Sequence, residues 1–207
     1  MKTKGNSYDI IVIGGGHAGC EAALAAARMG GSVLLITMEE RKIGYTSCNP
    51  SIGGVGKGQL VKEVDALGGQ IAKTADSACI QYRLLNSSKG YAARSSRMQI
   101  DRGVYNTTML NVVRNQPGLD IVEGEAERLK CEGDVCRGVV LRDGSEFTAF
   151  STVLATGTFM NGIIHIGLRH HAGGRIGEKA SRGLSDQLRE LGFRVDSLKT
   201  GTPARLD

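Results

Sequence analysis

The chain has 207 residues, of which 41% are hydrophobic and 23% charged, enough apolar material to bury the core of one domain, or of one domain with an appendage. Thirty glycines, about double ordinary usage, stand beside only three prolines. This excludes Pro/Gly-rich disorder and, with no G-X-Y period, a collagen-like fibre. The formal net charge of +5 is a mild bias toward polyanions, short of the basic face that marks a nucleic-acid binder by itself.

Residues 8–13 (YDIIVI) form a near-continuous apolar run, the pattern of a parallel strand buried on both faces. Glycines 14–16 follow, then a helix from His17 to Met29 with Cys20, Ala23, Leu24 and Ala27 on one face, closed by Gly30 and Gly31. SVLLIT (32–37) is a second buried strand, so residues 8–37 read as a βαβ unit with a right-handed crossover. Residues 44–58 read as a functional loop of Gly, Ser, Cys, Asn and Pro. A helix over about 59–67 places Leu60, Val64 and Leu67 on one face and ends at Gly68-Gly69.

The stretch 86–102 is polar and basic, with Lys89, Arg94, Arg97 and Arg102 against Asp101. A helix over 101–115 stops at Pro117-Gly118, and 119–125 (LDIVEGE) reads as a strand. Three β segments follow, 126–132, 135–142 and 145–150, joined by turns at Glu132-Gly133-Asp134 and Asp143-Gly144. STVLATG (151–157) is a further apolar strand ending in a small-residue turn. A glycine-rich region to 177 leads into a helix carrying Leu184, Leu188 and Leu191, with Ser181 placed to cap it. No internal repeat is present. The order predicts an α/β domain with an inserted β-meander at about 126–150.

Gly14-x-Gly16-x-x-Gly19 between a buried strand and a helix is a dinucleotide-binding fingerprint. Its first glycine permits the tight turn, its second lets a pyrophosphate approach the backbone, and its third lets helix and strand pack closely. The helix start then offers unpaired N–H groups and partial positive charge to the phosphates. The acid expected on the ribose, about 20 residues on, is missing from the strand end: Thr37 stands there with Glu39 and Glu40 just beyond, and Thr37 and Glu39 are the two candidates for the contact. Of the 30 glycines, 14 fall within 14–19, 53–58 and 157–177, three places where backbone turns tightly or approaches a ligand.

The glycines of 53–58 suggest a phosphate loop only loosely, because no Ser or Thr follows Lys57 and no strand is read before it. A loop whose backbone N–H groups face a bound ring is the preferred reading. Lys89, Arg94, Arg97 and Arg102 fit either RNA phosphates or a solvated basic surface, and His165, His170 and His171 read as surface residues. Five cysteines at 20, 48, 79, 131 and 136 include no C-x-x-C pair and no histidine at zinc-ligand spacing, so no metal is expected and the thiols are expected reduced. The first apolar run is too short for a signal sequence and no run approaches a membrane span, which predicts a soluble, cytoplasmic protein.

Five blocks, DIIVIGGGHAGCEAALAAARMG, TSCNPSIGGVGKGQLVKEVDALGG, LLNSSKGYAARSSRMQIDR, ATGTFMNGIIHIG and LKTGTPARLD, together resemble the glucose-inhibited division protein A flavoproteins from Tyr8 to Asp207. That family supplies the large subunit of the bacterial tRNA uridine 5-carboxymethylaminomethyl modification enzyme. The resemblance implies a Rossmann-like FAD-binding domain of the two-dinucleotide-binding flavoprotein type. It implies that residues 1–207 are its N-terminal portion, with the family's NAD-binding and C-terminal helical regions outside the chain. It implies FAD reduced by NADH, methylene-tetrahydrofolate as carbon donor and glycine as amine source. tRNA modified at C5 of the wobble uridine (position 34), a GTPase partner and a homodimer in the full-length family complete the expectation.

Carried onto this sequence, Gly14, Gly15, Gly16, His17, Ala18 and Gly19 hold the FAD pyrophosphate. Ala126 contacts the adenine end through its backbone, and Thr156, Gly157 and Ser181 line the cofactor. Cys48 is the candidate for covalent attack at C6 of a pyrimidine, with Lys57 and a helix start near 59 favouring its thiolate; packing beside the flavin ring is the other reading. Two further readings stay open: a non-catalytic or truncated FAD/nucleotide-binding module without turnover, and a related folate-dependent tRNA uridine methyltransferase.

Overall fold

The computed structural model describes residues 5–47 and 49–199. It opens with β1 (Ser7–Ile13), α1 (His17–Arg28) and β2 (Val33–Thr37), the predicted βαβ unit. β1 pairs parallel with β2 from Ile10↔Val33 to Ile13↔Ile36. Every residue of β2 is buried, as a strand covered on both faces must be. Gly30, at positive φ, turns the chain out of α1 without Cβ strain.

Residues 49–114 then build a small layer: β3 (Ser51–Gly53), α2 (Lys57–Ala66), α3 (Ile71–Ser77), β4 (Cys79–Leu85), β5 (Ser95–Ile100) and α4 (Arg102–Arg114). β3, β5 and β4 form an antiparallel sheet in that order. Sequence reading anticipated neither this sheet nor α3; β4 does alternate, with Ile80, Tyr82 and Leu84 on one face, but that face is exposed and the signal was not read. The reading of 44–58 as a loop is corrected at Ser51–Gly53, which form β3, and at Lys57-Gly58, which open α2.

The strand expected to be missing before Lys57 is present as β3, although Gly58, not Ser or Thr, still follows the lysine. α2 starts two residues earlier than predicted, and of its expected apolar face only Val64 is half-buried: Leu60 is exposed, as is Leu67 at 89% just past its end. α4 is as predicted, with the Asp101 side chain accepting from the Val104 N–H at 2.8 Å as its N-cap.

β6 (Leu119–Glu123) joins the far side of β2 in parallel, from Val33↔Leu119 to Thr37↔Glu123. β7 (Ala126–Glu132), β8 (Val135–Leu141) and β9 (Glu146–Leu154) form the antiparallel meander. The two predicted strands 145–150 and 151–157 are one: β9 pairs parallel with β1 from Ser7↔Thr148 to Ile13↔Leu154 while its first residues pair with β8. The six-stranded sheet is ordered β6-β2-β1-β9-β8-β7. An exposed hairpin of β10 (Ile163–Ile166) and β11 (Arg169–Ala172) carries His165, His170 and His171.

The last element is α5 (Leu184–Glu190). Its N-cap is Gly183 and no side chain caps it, so Ser181 does not have the expected capping role. Ser181 instead lies against the 159–161 turn, its N–H donating to the Phe159 carbonyl and its carbonyl accepting from the Asn161 N–H, both at 2.8 Å.

Two cores flank the sheet. Val12, Val33 and Leu35 pack against Cys20, Ala23 and Leu24 of α1 and Tyr105, Met109 and Val113 of α4. The alternate residues Ile11, Ile13, Leu34 and Ile36 pack against Leu129, Val139 and Leu141 of the meander and Leu184 of α5. Period-two alternation in β1 and β2 thus feeds both faces. The outer edge of β7 is closed by the Gln187 amide, which accepts from the Leu129 N–H at 2.6 Å and donates to the Leu129 carbonyl at 2.8 Å.

Candidate functional site

A cleft of roughly 740 Å³, counting its open mouth, lies at the carboxyl ends of the parallel strands. β1 delivers Ile13 and Gly14–Gly16, β2 delivers Ile36–Glu39, β6 is followed by Gly124–Ala126, and β9 by Ala155–Gly157. Open α/β sheets bind ligands outside the carboxyl ends of their strands, where adjacent connections diverge.

The turn between β1 and α1 is built on glycine for reasons visible residue by residue. Gly14 has φ +111°, and a Cβ there would collide with the Ala155 carbonyl. A Cβ on Gly19 would enter the Gly14 carbonyl oxygen, so the third glycine serves packing beneath the turn. Gly16 differs: its φ of −72° suits any residue, and a Cβ there meets nothing within 4 Å. The space in front of Gly16 is open to a ligand. No side chain caps the first turn of α1, so its N–H groups and dipole face that opening.

The strand ends are locked together. The Gly14 N–H donates to Ile36, Ala155 to Ile13, Gly124 to Thr37 and Gly44 to Gly15, each at 2.8 Å. Of the sequence-predicted residues, Gly14, Gly15, Gly16, Thr37, Glu39, Ala126, Thr156, Gly157 and Ser181 line this cleft. Gly19 lies buried beneath it, Ala18 is exposed on the first turn, and His17 faces a second cavity. Thr37 and Glu39 stay together, the Thr37 hydroxyl donating to the Glu39 carbonyl at 3.4 Å.

The Glu39 carboxylate is bound by Lys42 at 2.6 Å and Arg41 at 2.9 Å, and those two cations hold its pKa below the usual carboxylate range. Lys42 also pairs with Glu178 at 3.3 Å. Lys42, Glu125, Arg175 and Glu178 line the cleft and escaped sequence reading. Glu125 alone had a usable signal, an acid just past the strand 119–123; the others come from loops that no periodicity marks.

The second cavity, roughly 940 Å³ with its open mouth, is lined by His17, Tyr45–Ser47, Asn49, Ser51–Gly53, Lys57, Arg97 and Arg175. Arg175 therefore borders both spaces. Burial first, and the Arg175 charge second, lower the pKa of His17, so its imidazole is neutral at pH 7. The expected role of 53–58 in presenting its N–H groups to a ring is corrected at two positions: Gly54 donates to the Ser96 carbonyl and Gly58 to the Gly54 carbonyl. Cys48 lies outside the described residues. Arg94 stacks over Tyr91 at 4.4 Å and donates to the Lys89 carbonyl, so of the basic stretch only Arg97 reaches this cavity. Among the described residues no cluster of three or more His, Cys, Asp or Glu could hold a metal ion, and no helix is long and apolar enough to cross a membrane.

The sheet order and glycine turn define the α/β fold of FAD-dependent oxidoreductases. Fold likeness extends to a probable FAD-dependent monooxygenase of Pseudomonas aeruginosa, 13% identical with a TM-score of 0.53 over 94% of this chain and 48% of that one. The family described as Glucose inhibited division protein A matches residues 9–207, and the chain belongs to it. The crystal structure of Aquifex aeolicus GidA superposes with a TM-score of 0.93 at 46% identity, over 98% of this chain and 34% of that chain. The tRNA uridine 5-carboxymethylaminomethyl modification enzyme MnmG of Pelobacter propionicus is 56% identical over 207 residues, covering 100% of this chain and 33% of the relative. The chain spans about a third of the length of the curated relatives it matches.

Proposed function

We propose that this chain is the FAD-binding portion of a tRNA-modifying flavoprotein, one that with a GTPase partner adds a carboxymethylaminomethyl group to C5 of the wobble uridine. NADH, methylene-tetrahydrofolate and glycine are the co-substrates in this reading. The observation that carries it is the strand-end cleft with open space at Gly16 and an uncapped helix start, a cradle that fits a pyrophosphate. The 56% identity to an enzyme of that name supports the substrate.

FAD, when bound, supplies the redox chemistry. The backbone of Gly14–Gly16 and the first turn of α1 hold its phosphates. Glu39, whose carboxylate keeps accepting capacity beyond its two ion pairs, takes the ribose hydroxyl in preference to Thr37, whose hydroxyl turns to the Glu39 carbonyl. Ala126, at the start of β7, and Thr156-Gly157, after β9, flank the cleft from the other side. Cys48 acts as nucleophile on the pyrimidine; its sequence neighbours Ser47 and Asn49 line the second cavity.

The test is to purify the chain, record its absorption for flavin, and assay tRNA modification with NADH, methylene-tetrahydrofolate, glycine and the GTPase. Bound flavin with turnover supports the proposal in full. Bound flavin without turnover favours a nucleotide-binding module, and absence of any bound nucleotide contradicts the assignment of Gly14–Gly19. Cys48→Ser is expected to keep FAD and abolish tRNA modification; unchanged modification removes the cysteine from the chemistry.

A further inference from the structure

The hairpin of β7 and β8 carries two cysteines that line neither the strand-end cleft nor the second cavity. Cys131 on β7 and Cys136 on β8 are direct cross-strand partners, one step from the Gly133-Asp134 turn. Glu132↔Val135 closes that two-residue turn as a hydrogen-bonded pair, so the next pair outward is of the non-hydrogen-bonded kind. Opposite Cα atoms at such a pair stand ~4.5 Å apart, with both side chains on one face. A disulfide spans a Cα separation of about 4.4–6.8 Å, so the ladder already holds the backbone where a closed bond needs it.

Both thiols are free, and they are hydrogen-bonded to each other. Cys131 is exposed, whereas Cys136 is half-buried with its thiol directed at the Gly138 carbonyl and the Thr152 hydroxyl, each at 3.6 Å. Free cysteine is among the most buried residue types, and at an exposed hairpin tip it fills no core. The other described cysteines differ. Cys79 is exposed but faces Ile100 across its ladder, and Cys20 is buried with its pKa pushed up to about 12.

We infer that Cys131 and Cys136 are a reversible oxidation site, a dithiol that closes to a cross-strand disulfide under oxidant and reopens when thiol is restored. A low-molecular-weight disulfide such as oxidised glutathione is the oxidant. The thiolate of Cys131, the accessible member, attacks one sulfur of that disulfide, whose S–S bond breaks, and the first small thiol leaves with the proton that Cys131 gave up. The Cys136 thiolate then attacks Cys131 Sγ in the mixed disulfide and expels the second small thiol. The protein loses two electrons and two protons, and the small disulfide is reduced to two thiols. Desolvation first, and the Cys136 thiol second, hold the Cys131 pKa above the ordinary thiol value, so the pair stays reduced at low oxidant and closes under a sustained rise.

The chain is incubated in glutathione buffers with a rising oxidised share, alkylated in denaturant, and cut with trypsin after Lys130 and Arg137, which leaves both cysteines on one peptide, 131–137. Mass spectrometry is expected to find that peptide without alkylation and lighter by two hydrogens than its reduced form. Both cysteines are expected to accept the alkylating reagent again once reduced glutathione is restored. Cys136→Ser removes the resolving thiol and is expected to accumulate glutathione on Cys131, while Cys131→Ser loses the closed form. Cys79→Ser, away from the hairpin, is expected to close as the wild type does. Circular dichroism checks that each variant is folded, and flavin absorbance, read in parallel, reports the strand-end cleft independently. Alkylation of both cysteines at every oxidised share, glutathione on each without closure, or a closed bond that reduced glutathione does not reopen overturns the inference.

Discussion

The two sheets of this molecule obey different rules. The parallel sheet is a two-sided core: Leu34 and Leu35 are adjacent in sequence, point to opposite faces, and are both fully buried. The three-stranded sheet is a scaffold at the surface, with Ile80, Tyr82 and Leu84 of β4 all exposed. The first sheet holds its ligand space by backbone, through glycines and strand ends. The second contributes side chains, Arg97 from β5 and Ser51 and Ile52 from β3, to a cavity whose chemistry is charge. A site made by backbone leaves a signature in residue spacing, whereas a site made by side chains from distant segments does not.

Three substitutions sharpen that contrast. Gly19→Val drives a side chain into the Gly14 carbonyl and is expected to cost about 3 kcal/mol or more in denaturant unfolding, with loss of bound flavin. A variant that unfolds like wild type breaks the packing account of the third glycine. Leu35→Ala, in the fully buried strand, is expected to cost about 3 kcal/mol, while Ile80→Ala, 67% exposed on the small sheet, stays within about 0.5 kcal/mol. Similar losses at both positions would show that the small sheet is packed as a core.

The smallest effect is a pH dependence. The folded pKa of His17 lies below its ordinary 6.5, chiefly through burial and then through Arg175. The unfolded chain therefore binds a proton that the folded chain refuses, and stability is lost as pH falls through about 6.5 toward the folded value. His17→Gln is expected to flatten this part of the stability–pH curve; an unaltered slope removes His17 as its source.

Legibility followed the same division. YDIIVI, SVLLIT and the glycines between them were readable because buried parallel strands are continuous apolar runs and the turn between them admits little but glycine. Helix α4 was readable up to its stop before Pro117-Gly118, while its N-cap at Asp101 came only with the structure. β4 was missed although Ile80, Tyr82 and Leu84 alternate along it, because a single short edge strand whose apolar face stays exposed stands apart from any buried run. Leu60 and Leu67 misled in the opposite direction: of the face they share with Val64, both leucines are exposed. Strand ends mark Glu39 and Glu125, but Lys42, Arg175 and Glu178 reach the cleft only through tertiary folding of loops. Ser181 lines the cleft, but the capping role read for it falls at Gly183, where no side chain caps the helix.

The central claim is that the space in front of Gly16 is kept open for a dinucleotide pyrophosphate. Gly16→Ala tests it directly, because this glycine has an ordinary φ and its added methyl meets no atom of the protein. FAD titration followed by flavin fluorescence, with unfolding measured on the same samples, is the measurement. Stability within about 0.5 kcal/mol of wild type, with FAD affinity lowered about tenfold or more as the methyl holds the phosphates off the helix start, is the predicted result. Wild-type FAD affinity in a stably folded Gly16→Ala chain would contradict the account.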